Sequence, residues 1–311
     1  MQTYSEMPSF DKVLVATDFS AASRAAFQTA LDVCKTLGAS LYILHVFEYA
    51  NAVPPEAGGQ LLELEGVYQG ARRGLDRLVE QAKGEGVTCE AFMGSGIPAL
   101  AILDAIPEKE IGLVVLGTNA LHGFERFVFG SVAEDVLRKA PCPVLTVGPQ
   151  VHDPGKTTQI DGPVVFATDF DLKTIHAIRY AATLCTAMMS PLHCLHVLPR
   201  TLEGGVRSHV IPQIMAEALQ HVAVESGTAI CPPVCATTYG SEVSNAVVNY
   251  ATQQRAKLIV LGVRQASMAK SHGPAHIAYR IITEAPCPVL TMAFASHARE
   301  SLVAAAACYV A

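Results

Sequence analysis

The sequence predicts an α/β protein made of two doubly wound, five-stranded parallel sheets in tandem. Residues 13–46 recur as residues 164–197, so that Asp18 corresponds to Asp169. Each copy also alternates short apolar runs with long helical patterns, which is typical of a parallel sheet covered by helices. Two further blocks match in the same order: LVVLGTNA (113–120) with LIVLGVRQ (258–265), and APCPVLTV (140–147) with APCPVLTM (285–292).

The elements follow from local patterns in the first copy. The runs VLVAT and LVVLG are apolar at consecutive positions, as expected for strands buried on both faces. Ser20 is a predicted N-cap and Gly38 a predicted C-cap of the first helix. The predicted strands are 13–17, 41–47, 88–93, Leu113–Gly117 and Val144–Val147, and the predicted helices are Ala21–Leu37, 61–84, 97–106 and Ser131–Lys139.

Composition indicates a soluble chain of two domains. Of its 311 residues, 50% are hydrophobic and 16% are charged, which is enough apolar material to offset chain entropy. The net charge of -6 argues against binding to nucleic acid or to anionic membranes. The start of the sequence lacks a secretion signal, so we expect a cytoplasmic protein. The predicted parts are domain 1 (1–148), a linker (149–162), domain 2 (163–294) and an apolar tail (295–311).

Metal and nucleophile chemistry is not indicated. The nine cysteines have no small-scaffold spacing and are interpreted as buried thiols, Cys142 and Cys287 among them. His193 and Cys194 are adjacent on a predicted strand and so point to opposite faces, which argues against a shared zinc ion. The sequence has no G-x-S-x-G elbow, P-loop or H-E-x-x-H motif.

A ligand site is predicted at the carboxyl edge of the first sheet, where strand order reverses. Asp18 follows the first strand, Val46 lies at the end of the second, and Gly117 ends the fourth. The next loop leads to Gly130 and Ser131 at a helix start. Free N–H groups and the helix dipole attract phosphate there, and glycine lets the backbone approach closely.

Each of these residues also has a purely structural interpretation. Asp18 could cap the first helix or close a turn, and Ser131 could be an N-cap alone. Gly117 could be a packing glycine, as its repetition at Gly262 would allow. The presence of Gly130 and Ser131 beside Asp18 favours a phosphate site over the structural interpretation.

This pattern resembles the nucleotide signature of universal stress protein domains, G-x2-G-x9-G-S/T after the fourth strand. Here Gly117 is followed by Ala120 in place of the second glycine, and then, after nine residues, by Gly130 and Ser131. Both copies resemble such domains, which implies a Rossmann-like fold of the adenine nucleotide alpha hydrolase type. It also implies ATP or a similar adenine nucleotide as ligand, with or without Mg²⁺.

The resemblance implies a role for each matched residue. Asp18 would face the adenosine, the backbone of Val46 would hydrogen-bond adenine, and Gly117 would lie beside the ribose. If the position of Ala120 needs a positive φ, alanine costs about 1 kcal/mol there. The residues assigned to cofactor binding are Asp18, Val46, Gly117, Ala120, Gly130, Ser131 and Val132, of which the last three would surround the phosphates.

The second copy departs from this pattern. The loop after Gly262 keeps its length but reaches Ala275 and His276, and Pro274 removes an amide donor near the helix start. We therefore expect one nucleotide per chain, in the first copy, with the second copy empty or holding another anion.

The leading interpretation is an adenine-nucleotide-binding regulatory protein of the stress response and not an enzyme; the stress role comes from the resemblance alone. The loop lacks the lysine of a P-loop, so any ATP hydrolysis should be slow. The alternative is a nucleotide-free interaction scaffold, favoured by Ala120 and the altered second loop.

The fifth strands, 143–147 and 288–292, are predicted to pair antiparallel within the chain. The tail, 302–311, is predicted to pack on its own domain or in a homodimer.

Overall fold

The computed structural model describes residues 9–47, 58–118, 130–151, 162–171, 174–203, 207–226, 232–264 and 274–294. Each repeat contributes five strands and four helices, as the sequence predicted. The described chain forms two compact units. The first contains residues 9–118 and 130–144, and the second contains the described residues from 145 onward. The division falls inside the fifth strand, whereas the predicted boundary is at 148.

The first unit is a parallel sheet in which the chain reverses direction across the strand order. Its strand order is β3-β2-β1-β4, and all three pairings are parallel. The chain therefore moves one way from β1 to β3 and the other way to β4, which creates a switch point between β1 and β4. The elements are β1 (Lys12–Ala16), α1 (Ala21–Leu37), β2 (Ser40–Phe47), α2 (Gly58–Gly84), β3 (Cys89–Ser95), α3 (Pro98–Lys109), β4 (Leu113–Gly117) and α4 (Ser131–Lys139), with β5 (Val144–Val147) next in the chain.

Helix α1 has the caps that the sequence predicted. The Ser20 hydroxyl accepts the N–H of Ser23 at 3.2 Å, which satisfies one free donor of the first turn. Gly38 ends the helix with φ +68°, and its N–H donates to the Cys34 carbonyl. The strands next to this helix have the apolar runs expected of a sheet covered on both faces: Val13, Leu14 and Val15 of β1 are fully buried.

β1 and β2 differ from the prediction by one residue at one end or both, and three further elements differ by two residues or more. The helix predicted for 97–106 runs to Lys109 with Pro107 inside it. Proline is tolerated there because it lies in the last turn, before Glu110 ends the helix with φ +56°. Helix α2 begins at Gly58 instead of residue 61, and the strand predicted for 88–93 is shifted to Cys89–Ser95.

The second unit repeats this arrangement. Its strand order is β5-β10-β9-β6-β7-β8, and the pairs from β10 to β8 are parallel. β5 and β10 are neighbours, as predicted, while the antiparallel sense of that pairing stays a prediction. The elements after β5 are β6 (Val164–Ala167), α5 (Ile178–Ala187), β7 (Leu192–Leu198), α6 (Arg207–Ser226), β8 (Val234–Tyr239), α7 (Val243–Gln253), β9 (Leu258–Arg264), α8 (Pro274–Glu284) and β10 (Val289–Phe294).

Two predictions fall wholly or largely outside the described residues. Most of the linker and the whole apolar tail, 302–311, belong to that part of the chain. Within the described ranges, none of the helices combines the length and the apolar character needed to cross a bilayer.

Candidate functional site

The carboxyl edge of the first unit brings together the predicted strand-end residues. β1 pairs with β4 through Val15 and Val115, so Asp18 and Gly117 follow neighbouring strands at one edge. Val46 lies on β2, two residues beyond Leu44, which is the last partner of β1. Helix α4 follows β4, so its first residues also belong to this edge. Ala120 lies outside the described residues.

Asp18 closes the turn between β1 and α1. Its Oδ1 accepts the N–H of Ser20 at 2.9 Å, and the next residue, Phe19, has φ +62°. Burial raises the pKa of Asp18, but hydrogen bonds from Ser20 and Ser23 outweigh it and leave the pKa below its usual value. The turn-closing interpretation of Asp18 is therefore confirmed, and the residue as a whole stays exposed at the edge.

Gly117 is required by packing. A Cβ built on it would lie 2.2 Å from the carbonyl oxygen of Ala22 and 2.4 Å from its carbonyl carbon. Both atoms belong to the backbone of α1, which cannot yield as a flexible side chain can. The packing interpretation of Gly117 is thus confirmed, and the presence of this glycine is not evidence for a ligand site.

Gly130 differs from Gly117 because the protein itself gives no reason for a glycine there. Its φ of -58° and ψ of 133° suit any residue, and a Cβ would have no atom of the described residues within 4 Å, a set that does not include residues 119–129. Gly130 is the N-cap of α4, so the interpretation of Ser131 as N-cap is wrong: Ser131 is the first helical residue. Gly130, as the N-cap, has no side chain that could accept the first N–H groups of this helix.

Thr118 was missed by the sequence reasoning. It follows β4 directly and is 3% exposed, and its Oγ1 has no hydrogen-bond partner among the residues that the structure describes. Unsatisfied buried hydroxyls are uncommon, so this one is a candidate ligand group. The signal in the sequence is a threonine placed directly after the buried run LVVLG.

A groove between α1 and α2 was also missed. It has a volume of about 570 Å³ and lies beside the ring of Phe19, which packs on the ring of His45 with centroids 4.8 Å apart. The missed signal is the spacing of Gly66, Gly70 and Gly74 on α2. At Gly74 a Cβ would lie 2.7 Å from the Phe19 ring, while at Gly70 it would meet nothing, so small residues leave the groove open.

The second unit keeps the turn after its first strand. Phe170 has φ +57° and its N–H donates to Thr168 Oγ1, and Asp169 Oδ1 accepts the N–H of Asp171 at 3.2 Å. The two units differ at the start of the helix after the fourth strand and at the residue after the apolar run of that strand. Helix α8 begins at Pro274 itself, and Val263 occupies the place of Thr118 after the matching strand run.

Burial disfavours the thiolate form of several described cysteines. Burial raises the pKa of Cys34, Cys142 and Cys287 to about 12. Cys142 is partly exposed, so the prediction that it is buried is only partly met. His193 Nδ1 forms a 2.9 Å hydrogen bond with the Tyr250 hydroxyl. The part of the chain that the structure describes contains no cluster of His, Cys, Asp and Glu that could hold a metal ion.

Two doubly wound units, one with an uncapped helix start at its switch point, define a tandem α/β protein with a candidate anion site. The sequence profile of the Universal stress protein family matches residues 9–148 and 162–292. The chain therefore belongs to the universal stress protein family and contains two of its domains. Family membership supports a role in the stress response.

Relatives match one domain's length of this chain. A universal stress protein of Methanocaldococcus jannaschii is 32% identical over 140 residues, which is 44% of this chain and 82% of the relative. The universal stress protein YxiE of Bacillus subtilis is 32% identical over 146 residues, covering 44% of this chain and 99% of the relative.

Solved structures show the tandem fold. A universal stress protein from Archaeoglobus fulgidus matches with a TM-score of 0.70 at 19% identity, covering 92% of this chain and 99% of that one. A protein from Pseudomonas aeruginosa described as a putative universal stress protein matches with a TM-score of 0.58 at 15% identity, covering 96% and 97%. At these identities the likeness shows the fold alone.

Proposed function

We propose that the first unit binds ATP or a similar adenine nucleotide and that the protein acts by binding and not by catalysis. The observation that carries this proposal is Gly130. Neither its backbone conformation nor its contacts with the described residues require a glycine, and as the N-cap it gives its helix no side-chain cap. A phosphate close to the backbone explains both features, because a side chain would occupy its place.

The residues of this edge fit such a ligand. The N–H groups of Gly130, Ser131 and Val132 would hold phosphate oxygens, and the Ser131 hydroxyl is exposed and adds a donor. The unpartnered hydroxyl of Thr118 offers one more polar contact. Val46 would present its backbone to adenine. Bound ATP would supply the negative charge that the helix start stabilises.

Catalysis is not part of the proposal. Asp18, Thr118, Gly130 and Ser131 provide no cation to stabilise charge on a leaving phosphate. Any hydrolysis is therefore expected to be slow, which a steady-state phosphate-release assay would measure.

The test is a calorimetric titration of ATP into two matched variants of the full chain. Gly130→Glu should abolish binding, because the carboxylate fills the phosphate position and repels it. The fold should survive, since a Cβ at this position meets nothing within 4 Å. Ala275→Glu, the matched change in the second unit, should leave affinity unchanged. Two sites per chain, or loss of binding only with Ala275→Glu, would contradict the proposal.

A nucleotide-free interaction scaffold is the second candidate. It is favoured by Asp18, whose carboxylate already serves the turn through Ser20. Acid denaturation of the purified protein separates the two candidates: release of an adenine nucleotide supports the first, and its absence together with no ATP binding supports the second.

We also propose that β5 and β10 pair antiparallel, so that these two strands pair within one chain and not between two chains. Both strands are short and apolar, and each needs a partner for its backbone groups. Sedimentation equilibrium of the full chain should then show no homodimer that forms through β5 and β10. A homodimer that Leu145→Pro or Leu290→Pro dissociates into folded monomers would contradict this pairing.

A further inference from the structure

The second unit has a cavity at its own carboxyl edge. It has a volume of about 160 Å³ and lies between α7 and α8, at the ends of β6, β7 and β9. Most of its walls are aliphatic. The side chains that form them come from α7, β9 and α8: Val243, Val247, Leu261, Val263, Ile277 and Ile281.

The polar groups of this cavity are already used within the turn that follows β6. His196 Nδ1 donates to the Thr168 carbonyl at 2.8 Å, and Thr168 Oγ1 accepts the N–H of Phe170 at 3.0 Å. Asp169 Oδ1 accepts the N–H of Asp171. These interactions hold the cavity's polar rim in place and leave few polar atoms for a ligand.

The cavity also lacks the features that fit a phosphate in the first unit. The place of Thr118, with its unpartnered hydroxyl, is taken by Val263, which is 5% exposed. No lysine or arginine is among the described residues that line the cavity. Among the described residues, a triphosphate would therefore find no partners here to replace the water that it loses.

The size and walls of the cavity point to the class of ligand. An enclosed cavity of about 150 Å³ lined by Leu, Ile and Phe holds a benzene molecule, and this half-open cavity offers a similar volume. We infer that the second unit binds a small uncharged molecule whose apolar part is about the size of one ring, such as a monocyclic aromatic. This inference does not depend on nucleotide binding by the first unit.

The test uses fluorobenzene as the probe and the full-length chain, with binding followed by ¹⁹F NMR titration. Ala278 lines the cavity and is 3% exposed, so Ala278→Leu should fill the space and remove measurable binding. The matched control, Ala133→Leu, makes the same change at a buried site of α4 and should leave binding unchanged.

A second matched pair keeps the result independent of folding defects. Val263→Thr changes shape very little but places a hydroxyl against the ligand, so affinity should fall about tenfold. Thr118→Val should have no effect on the probe. Melting temperatures of all four variants confirm that each is folded.

Three results would overturn the inference: unchanged binding in Ala278→Leu, equal loss in Ala133→Leu, or displacement of fluorobenzene by excess ATP. A chain that binds fluorobenzene in this way but binds no ATP would refute the proposed function and leave this inference standing.

Discussion

The two units share one scaffold but differ at the same edge of the sheet. Both have a non-glycine residue with positive φ after the first strand, Phe19 and Phe170. After the matching fourth strand the first unit has Thr118, with a buried and unpartnered hydroxyl, and the second has Val263 among aliphatic neighbours. The difference teaches that the scaffold and the polarity of this edge are set by separate residues, so one can change while the other stays.

The contrast extends to the helices that cover the sheets. In the first unit a groove opens between α1 and α2, where Gly70 and Gly74 are small. In the second unit α6 buries Met215 and Leu219, at 0% and 2% exposure, and the described cavity lies instead between α7 and α8. Small residues on α2 thus leave the groove open, whereas α6 has larger buried side chains at Met215 and Leu219.

The largest expected effect comes from Gly117. Gly117→Ala should lower the free energy of unfolding by about 3 kcal/mol, because the new Cβ would overlap the backbone of α1. Urea unfolding followed by circular dichroism measures this. Gly130→Ala is the control and should cost less than about 1 kcal/mol, since its Cβ has free space. Equal losses at the two glycines would refute the distinction drawn between them.

A reciprocal exchange tests the difference between Thr118 and Val263. Val263→Thr should lower the free energy of unfolding by about 1–2 kcal/mol, because it buries a hydroxyl among aliphatic side chains. Thr118→Val should raise it by about 1 kcal/mol, because it removes an unsatisfied hydroxyl. Denaturation in urea without ligand gives both values. The contrast fails if both substitutions change stability in the same direction.

The helix starts after β1 and β6 provide a smaller test. Ser20→Ala should cost about 1 kcal/mol through loss of the N-cap bond to Ser23. At the start of α5, Ala177 has φ -62° and ψ -16°, a helical geometry that does not suit an N-cap. Ala177→Ser should therefore bring no stabilisation. Thermal melting of both variants measures these two effects. A stabilised Ala177→Ser protein would contradict the conclusion that the geometry of Ala177 does not suit an N-cap.

The smallest effect is the pH dependence at Asp18. Its pKa is lower in the folded protein than in the unfolded chain, so its contribution is complete above the unfolded pKa of about 4. That contribution is lost as the pH falls through the lower folded value. The stability difference between the native protein and Asp18→Asn should shrink between about pH 5 and pH 3. A difference that grows on acidification would refute the lowered pKa.

The fold could be predicted because its signals are local. Ser20 and Gly38 set the limits of α1, and the consecutive apolar residues of LVVLG identify a strand covered on both faces. The end of α3 was misjudged because Pro107 removes only the hydrogen bond to the Leu103 carbonyl, while its fixed φ still suits a helix, so the chain completes the last turn to Lys109. The position of a proline within its turn is a property of the folded helix and not of the sequence pattern.

The candidate site was predicted less completely because the role of each residue depends on contacts with residues that are distant in the sequence. The sequence shows Gly117 and Gly130 as equivalent members of one motif. Only the structure shows that one contacts the backbone of Ala22 and that the other faces open space. The same holds for Thr118: its neighbours in the sequence do not show that its hydroxyl lacks a hydrogen-bond partner among the described residues.

The contact between Gly117 and α1 has a consequence for the history of a duplicated gene. Once two copies exist, drift can remove a ligand site from one of them without loss of the protein. A glycine held by packing remains under purifying selection in both copies, whereas one held only by a ligand is free to change. Gly262 and Ala275 are what that process would leave behind in the second copy. A glycine at the position of Gly117 is therefore expected in a domain of this fold with or without a ligand, because any side chain there would overlap the backbone of α1.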